Sequence, residues 1–285
     1  MTIVFTIVTL SVLGILSAVI LYAVAQKFKV QGDPRVDQVE AALPLANCGG
    51  CGYAGCRNFA EACVAAEDLT GLYCPVGGQA CMDAVADILG KKVSQKDPLI
   101  AVIRCQGSYA HRAKTSLYDS APACSIAASL YGGDTGCAYG CLGLGDCVKA
   151  CKFQAIFMNP DTGLPEVIDD KCTACGACVK ACPRFIIELR RRGPKNRRIF
   201  VSCINQDKGP VAKKSCAVAC IGCGLCVKAC PFEAITLKNN LAYIDHEKCR
   251  LCRKCAPVCP THAIVEMNLP ELKAASEPAG VKSSA

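Results

Sequence analysis

Tryptophan is absent from this 285-residue chain, phenylalanine and tyrosine number eight each, and there are three histidines. So few rings exclude a large aromatic core. His111, His246 and His262 stand in no ligand-like pattern and read as surface or packing residues. No Gly-x-Gly-x-x-Gly follows a strand pattern, so the chain shows no dinucleotide or flavin site of its own. No basic run is interleaved with aromatics, which excludes a stacking platform for nucleic acid. A second long apolar run with acidic residues to carry ions is also missing. Something other than apolar burial must therefore hold the chain together.

What the chain has is cysteine. There are 26, about 9 % of residues, near the level that marks a cysteine scaffold. Disulfide frameworks scatter their cysteines, whereas most of these stand two or three residues apart, so that neighbours converge on one metal centre more easily than they pair with distant partners. The formal charge is +8 with every thiol counted neutral. A [4Fe-4S] core with four thiolates adds about −2, so five such centres would bring the balance to about −2. The basic excess is partly what such a chain needs for its own neutralisation, and it is weak evidence for a polyanionic partner.

The segment Ile3 to Ala25 runs 23 residues without a charge. At ~1.5 Å per residue it reaches roughly 35 Å, enough for a hydrocarbon core of about 30 Å. Ala23-Val24-Ala25 resembles a signal-peptidase site, but no Lys or Arg precedes the run and the run is longer than an export signal needs. Lys27 and Lys29 follow it, so the positive-inside rule keeps the cysteine-rich part in the cytoplasm. The expectation is a single-pass, uncleaved anchor in the inner (cytoplasmic) membrane, in contact with lipid.

The pentapeptide Cys-Val-Lys-Ala-Cys occurs three times, at 147–151, 178–182 and 226–230. Its context gives it meaning. CIGCGLCVKACP from Cys220 and CRLCRKCAPVCP from Cys249 are both C-x2-C-x2-C-x3-C-P. Three closely spaced thiolates reach three corners of one cubane; the fourth, carried past by a short helical turn, ligates the neighbouring cluster, as in bacterial two-cluster ferredoxins. Cys220, Cys223, Cys226 and Cys259 are expected to hold one cluster, and Cys249, Cys252, Cys255 and Cys230 the next. Between them EAITL (Glu233 to Leu237) and LAYID (Leu241 to Asp245), separated by Lys-Asn-Asn, read as a hairpin. A zinc scaffold, the competing reading, would show paired C-x2-C knuckles and often histidine.

An earlier unit varies the theme. CTACGACVKACP from Cys172 fits fully, but CAYGCLGLGDCVKACKF from Cys137 has spacings of three and five, and Lys152 replaces proline. The same crossover assigns Cys137, Cys141, Cys147 and Cys182 to one centre and Cys172, Cys175, Cys178 and Cys151 to the other. The N-terminal motif differs again: CGGCGYAGC with a cysteine 18 residues later gives Cys48, Cys51, Cys56 and Cys74 as a further quartet. Cys63 and Cys81 fall on helical stretches and read as buried structural thiols. Cys105, Cys124, Cys203 and Cys216 remain, either as spare thiols or as the ligands of a sixth cluster beyond the five expected.

An apolar anchor, CGGCGYAGC with the later CPVGG, and two double-cluster units together resemble the B subunit of the Rnf complex, an ion-translocating ferredoxin:NAD oxidoreductase, in its long form. The resemblance implies an iron–sulfur electron relay within a membrane redox enzyme. It also implies the other membrane and flavoprotein subunits as partners and soluble reduced ferredoxin as electron donor; an iron–sulfur subunit of a hydrogenase or formate dehydrogenase is the alternative. The expected fold is α+β: 1–26 anchor, 27–46 linker, 47–90 four-cysteine domain, 91–135 connecting region, 136–189 first ferredoxin-like unit, 190–219 basic connecting segment, 220–268 second unit and 269–285 disordered tail. The basic run Arg190, Arg191, Arg192, Lys195, Arg197 and Arg198 is either a docking patch for an acidic ferredoxin or a solvated loop that offsets cluster charge.

Overall fold

The computed structural model describes residues 2–27, 33–130 and 132–270. Helix α1, Thr2–Lys27, contains the charge-free span Val4–Val24, none of which is buried against the rest of the protein. A helix apolar on every side has no face to turn to water, and 21 residues reach ~31 Å, matching a bilayer core. Its Ser17 hydroxyl donates to the carbonyl of Leu13 at 2.7 Å, so the polar atom is satisfied within the helix.

The segment after the anchor joins a small helical body. Helix α2, Pro34–Ala42, starts where Asp33 accepts a hydrogen bond from the Arg35 backbone N–H at 2.9 Å, with proline in the first turn. Helices α3, Cys56–Ala65, and α4, Gly78–Leu89, complete it. Val36, Val39, Leu43, Phe59, Leu69, Met82 and Val85 form its core, together with Cys63, whose thiol is pushed up to about 11 chiefly by burial. The end of α3 is closed by Lys91, whose ammonium donates to the carbonyls of Cys63, Val64 and Ala66 at 2.8, 2.8 and 2.5 Å. A cation there also opposes the negative end of the helix dipole.

Every sheet in the described residues has two strands. Strand β1, Leu99–Ile103, lies in the stretch that the sequence presents as a connecting region. It pairs antiparallel with β4, Ile187–Arg191, at the far end of the first cysteine unit, and between them lie α5, Cys124–Leu130, α6, Asp146–Lys149, the hairpin β2–β3 (Ile156–Asn159 and Leu164–Val167) and α7, Ala177–Ala181. The second unit repeats the plan. Strand β5, Arg198–Val201, pairs with the last strand, β8, Ile264–Met267, around α8 (Gly209–Ser215), α9 (Leu225–Ala229) and the hairpin β6–β7 (Ile235–Lys238 and Leu241–Ile244). Each unit is thus a ferredoxin-like α+β fold whose opening strand precedes its first cysteine pair. The hairpin turn is two residues, Asn239 and Asn240, both left-handed at φ 49° and 58°. That is the mirror-image turn whose twist suits antiparallel strands, and asparagine tolerates it.

The three Cys-Val-Lys-Ala-Cys copies fall on α6, α7 and α9, each preceded by a glycine (Gly145, Gly176, Gly224) at φ 80°, 77° and 74°. The chain must leave a left-handed residue to enter each short helix, and glycine does so without strain.

The basic run is only partly a loop: Arg192, Lys195 and Arg197 lie in the connection between β4 and β5. Arg190 lies on β4 and is 2 % exposed; Arg198 opens β5 and is 5 % exposed. The Arg190 guanidinium donates to the carbonyl of Ile244 and to that of Ile199 (3.5 Å), pairs with Glu188 at 3.1 Å, and stands over Phe200 and Tyr243 at 5.8 and 5.2 Å. Arg104 covers the Tyr243 ring at 5.0 Å as well. Arg198 forms a two-pronged pair with Asp169 at 2.7 and 2.9 Å. Both buried arginines tie the first unit to the second. Arg191 and Lys195 are exposed, and Arg192 and Arg197 are half-buried. Residues 271–285, most of the tail expected to be disordered, lie outside the described residues, as do 28–32 of the expected linker.

Candidate metal centres

All 26 cysteines are unbonded thiols. Twenty-four of them gather in fours. Among the described residues, no group of three or more His, Cys, Asp or Glu side chains is disposed to hold a single metal ion. Four sulfurs on one zinc would stand ~3.8 Å apart, from a Zn–S bond of about 2.3 Å. The thiols instead stand around shared spaces, four to each.

Cys48, Cys51, Cys56 and Cys74 line one such space. Cys56 is the first residue of α3, fixed by its backbone N–H donating to the Asn47 side chain at 2.8 Å. Backbone N–H groups of Gly50 and Gly77 point at the sulfurs of Cys48 and Cys74 (3.5 and 3.4 Å). Cys74 is drawn down to about 6, first by its hydrogen bond with Cys81, against the opposing effect of burial and with help from the N–H groups of Gly77 and Val76. A Cβ on Gly50 would meet the carbonyl of Cys175 at 2.8 Å, so this centre sits directly against the first ferredoxin-like unit.

In the second unit Cys230, Cys249, Cys252 and Cys255 line another. Cys226 is surrounded by Cys220, Cys223 and Cys259, and burial followed by those neighbours pushes it up to about 11. In the first unit Cys178 stands among Cys172, Cys175, Cys147 and Cys151, pushed up to about 12 by burial and then by those thiols. N–H groups of Ala155 and Ala263 point at Cys151 and Cys259, both at 3.3 Å. A buried thiol raised this far becomes a thiolate only beside a cation, and directed N–H groups favour the anion; iron supplies the one and the backbone the other. The donor sets fit iron–sulfur clusters.

The first unit departs from the regular spacing in an informative way. Cys141, Cys147 and Cys182 line a void whose fourth cysteine is Cys124, the first residue of α5. Cys147 is pushed up to about 12 by burial and then by Cys124 and Cys182. Cys137 is not in that void. It lines another with Cys105, Cys203 and Cys216. Spacing alone links Cys137 to Cys141, and the place of Cys124 was legible only in the missing middle cysteine of the Cys141–Cys147 stretch. Cys63 and Cys81 lie outside all these groups.

This is the architecture of a polyferredoxin, a chain built of successive cysteine-ligated cluster modules. Models of a 4Fe-4S dicluster domain match residues 136–186 and 219–263, one of a 4Fe-4S double cluster binding domain matches 171–233, and one of a putative Fe-S cluster matches 43–71. The chain is 45 % identical over 90 % of its length to the B subunit of the Na⁺-translocating ferredoxin:NAD⁺ oxidoreductase complex of Acetobacterium woodii, covering 75 % of that protein. It is 40 % identical to the B subunit of the proton-translocating complex of Clostridium ljungdahlii, covering 92 % of each chain. It is also 40 % identical to the B subunit of the ion-translocating oxidoreductase complex of Methanosarcina acetivorans, over 91 % of this chain and 96 % of that one. The chain belongs to the family of Rnf complex B subunits.

Proposed function

We propose that the chain is the iron–sulfur subunit of a membrane-bound, ion-translocating ferredoxin:NAD oxidoreductase. It accepts electrons from reduced ferredoxin and relays them to the other membrane and flavoprotein subunits. Five [4Fe-4S] clusters are held by Cys48/Cys51/Cys56/Cys74, Cys124/Cys141/Cys147/Cys182, Cys151/Cys172/Cys175/Cys178, Cys220/Cys223/Cys226/Cys259 and Cys230/Cys249/Cys252/Cys255. When bound, each cluster supplies reversible one-electron storage. The gathering of thiols into fours within adjoining modules carries this reading, and membership of the family of Rnf B subunits sets its place in a complex.

The chain's own residues supply ligation, exclusion of water and control of charge. Cys147, Cys178 and Cys255 are buried, whereas Cys223 and Cys252 are exposed, so the second unit brings two clusters close enough to its surface for a partner to exchange electrons. The apolar helix α1 holds the modules at a membrane, on the cytoplasmic side by the Lys27 and Lys29 that follow it. One apolar span carries no acidic residue, and relatives of similar identity are named for Na⁺ and for protons; the coupling ion is set by other subunits.

The test is anaerobic mixing of the detergent-solubilised complex with reduced ferredoxin, followed near 400 nm and by EPR. Bleaching at a rate dependent on ferredoxin concentration, with cluster signals that disappear when this chain is omitted, supports the reading. A chain that carries clusters yet takes no electrons from reduced ferredoxin would overturn the donor assignment. A chain without acid-labile sulfide would overturn the relay itself.

A further inference from the structure

The void lined by Cys105, Cys137, Cys203 and Cys216 lies where the two ferredoxin-like units meet. The four sulfurs come from matching places in the two units. Cys105 stands two residues after the end of β1, and Cys203 two residues after the end of β5. Cys137 opens the run Cys-Ala-Tyr-Gly-Cys, ending at Cys141, and Cys216 opens Cys-Ala-Val-Ala-Cys, ending at Cys220. The backbone N–H of Cys141 points at the sulfur of Cys105 at 3.5 Å; in the other unit the N–H of Cys220 takes the equivalent bond to Cys203. Arg104 and Ser202 lace the two strand ends together, Arg104 donating to the carbonyls of Val201 and Cys203 (3.3 and 3.2 Å) and Ser202 to that of Ile103 (3.4 Å).

The surroundings are built for an anionic core. Asn205, 1 % exposed, directs its backbone N–H at Cys203 (3.4 Å) and its side-chain amide at Cys137 (3.7 Å). The buried Arg112 lies alongside, held by the carbonyl of Cys141. A Cβ on Gly107 would stand 3.3 Å from the sulfur of Cys216 and 3.7 Å from that of Cys105, so only a bare backbone closes this wall comfortably. Four cysteines line this void, as four line each of three others.

We propose that Cys105, Cys137, Cys203 and Cys216 ligate a sixth [4Fe-4S] cluster at the join, two ligands from each unit in pseudo-twofold arrangement. This rests on the reading that the other quartets hold cubane clusters. It also explains the irregular spacing of the first unit. Cys137 serves the join, so Cys141 takes the place that Cys220 has in the second unit, and Cys124 from α5 supplies the missing corner. The sixth site lies between Cys141 of one unit and Cys220 of the other. The N-terminal centre adjoins the first unit where Gly50 meets Cys175.

The experiment is iron and sulfide quantitation with EPR on the full-length chain, purified anaerobically in detergent. Six cubanes give about 24 iron atoms per chain, four in each. Cys203→Ala and Cys137→Ala are expected to lose the same EPR component, whereas Cys124→Ala loses the component that Cys147→Ala loses. About 20 iron atoms in the wild-type chain overturns the sixth site while leaving the relay reading intact, whether or not the variants fold. About 24 iron atoms with Cys137→Ala grouping with Cys147→Ala overturns the ligand exchange. A wild-type chain without iron overturns the underlying relay reading instead.

Discussion

Replacing Arg190 separates two roles that a run of arginines could play. Arg190→Ala removes a guanidinium that is 2 % exposed and reaches from β4 of the first unit to the carbonyls of Ile199 and Ile244 in the second. Glu188 keeps Arg104 at 3.3 Å and is not stranded. The loss comprises two cation–ring contacts of about 1 kcal/mol each and two charge-assisted hydrogen bonds of about 1.5 kcal/mol each. These are not additive, and about 4 kcal/mol is the working figure, near the value for breaking a buried charged contact. At 1.4 kcal/mol per decade that is about a thousandfold in an equilibrium constant. The assay is anaerobic bleaching near 400 nm in guanidinium, run beside the salt dependence of ferredoxin oxidation. Bleaching is expected to quicken by up to about a thousandfold while the salt slope of the surviving protein is unchanged. Arg191→Glu, on an exposed pair with Asp97 (3.0 Å), should leave bleaching within about twofold, because such pairs contribute little. Wild-type bleaching with a flattened salt slope for Arg190→Ala would refute the reasoning and make Arg190 a docking charge.

The other expectations concern the same joins and the metal. Asp169 sits below its ordinary value: burial alone would raise it, but its bonds with Arg198 and Asn268 and the charges of Arg198 and Arg192 outweigh that. Its stabilising effect is therefore complete above about pH 4, the unfolded carboxyl value, and is lost as pH falls through the lower folded one. The denaturant midpoint of Asp169→Asn should lie below that of the wild type by a constant gap from pH 8 to pH 5, closing only below about pH 4; a gap that closes by pH 6 contradicts the pairing. Stripping iron anaerobically with a chelator should expand residues 99–267 towards a coil, seen in hydrodynamic radius and far-ultraviolet circular dichroism, because two-stranded sheets do not persist alone; retention of the native radius counts against cluster-dependent folding. Lys91→Met frees three carbonyls at the end of α3 and should cost about 1–2 kcal/mol, read as a lower thermal midpoint for the N-terminal centre; an unchanged midpoint removes Lys91 from that role.

Local features were legible from residues in line. The apolar run is a helix, α3 covers the stretch after the N-terminal cysteine motif, and the hairpin forms, with Lys238 in the strand and a shorter turn than the three residues between the quoted runs. The Cys-Val-Lys-Ala-Cys copies lie on short helices because a glycine stands before each and the spacing allows about one turn. All of these depend on neighbours within about ten residues, and the family resemblance rested on the same short patterns.

What the sequence by itself determined is the chemistry and its local frame: which side chains are thiols, which three of each regular set lie within reach of one core, and that one end is apolar throughout. Only the tertiary structure decided which distant segments complete each set. Cys124 and Cys137 lie 13 residues apart, and nothing in their spacing says that one faces Cys147 and the other Cys203. Likewise Arg190 and Arg198 read as surface charge until β4 and β5 are placed against Tyr243 and Asp169. The physical reason is that spacing along a chain limits only what neighbours can touch, whereas contact across a join depends on how two folded units pack.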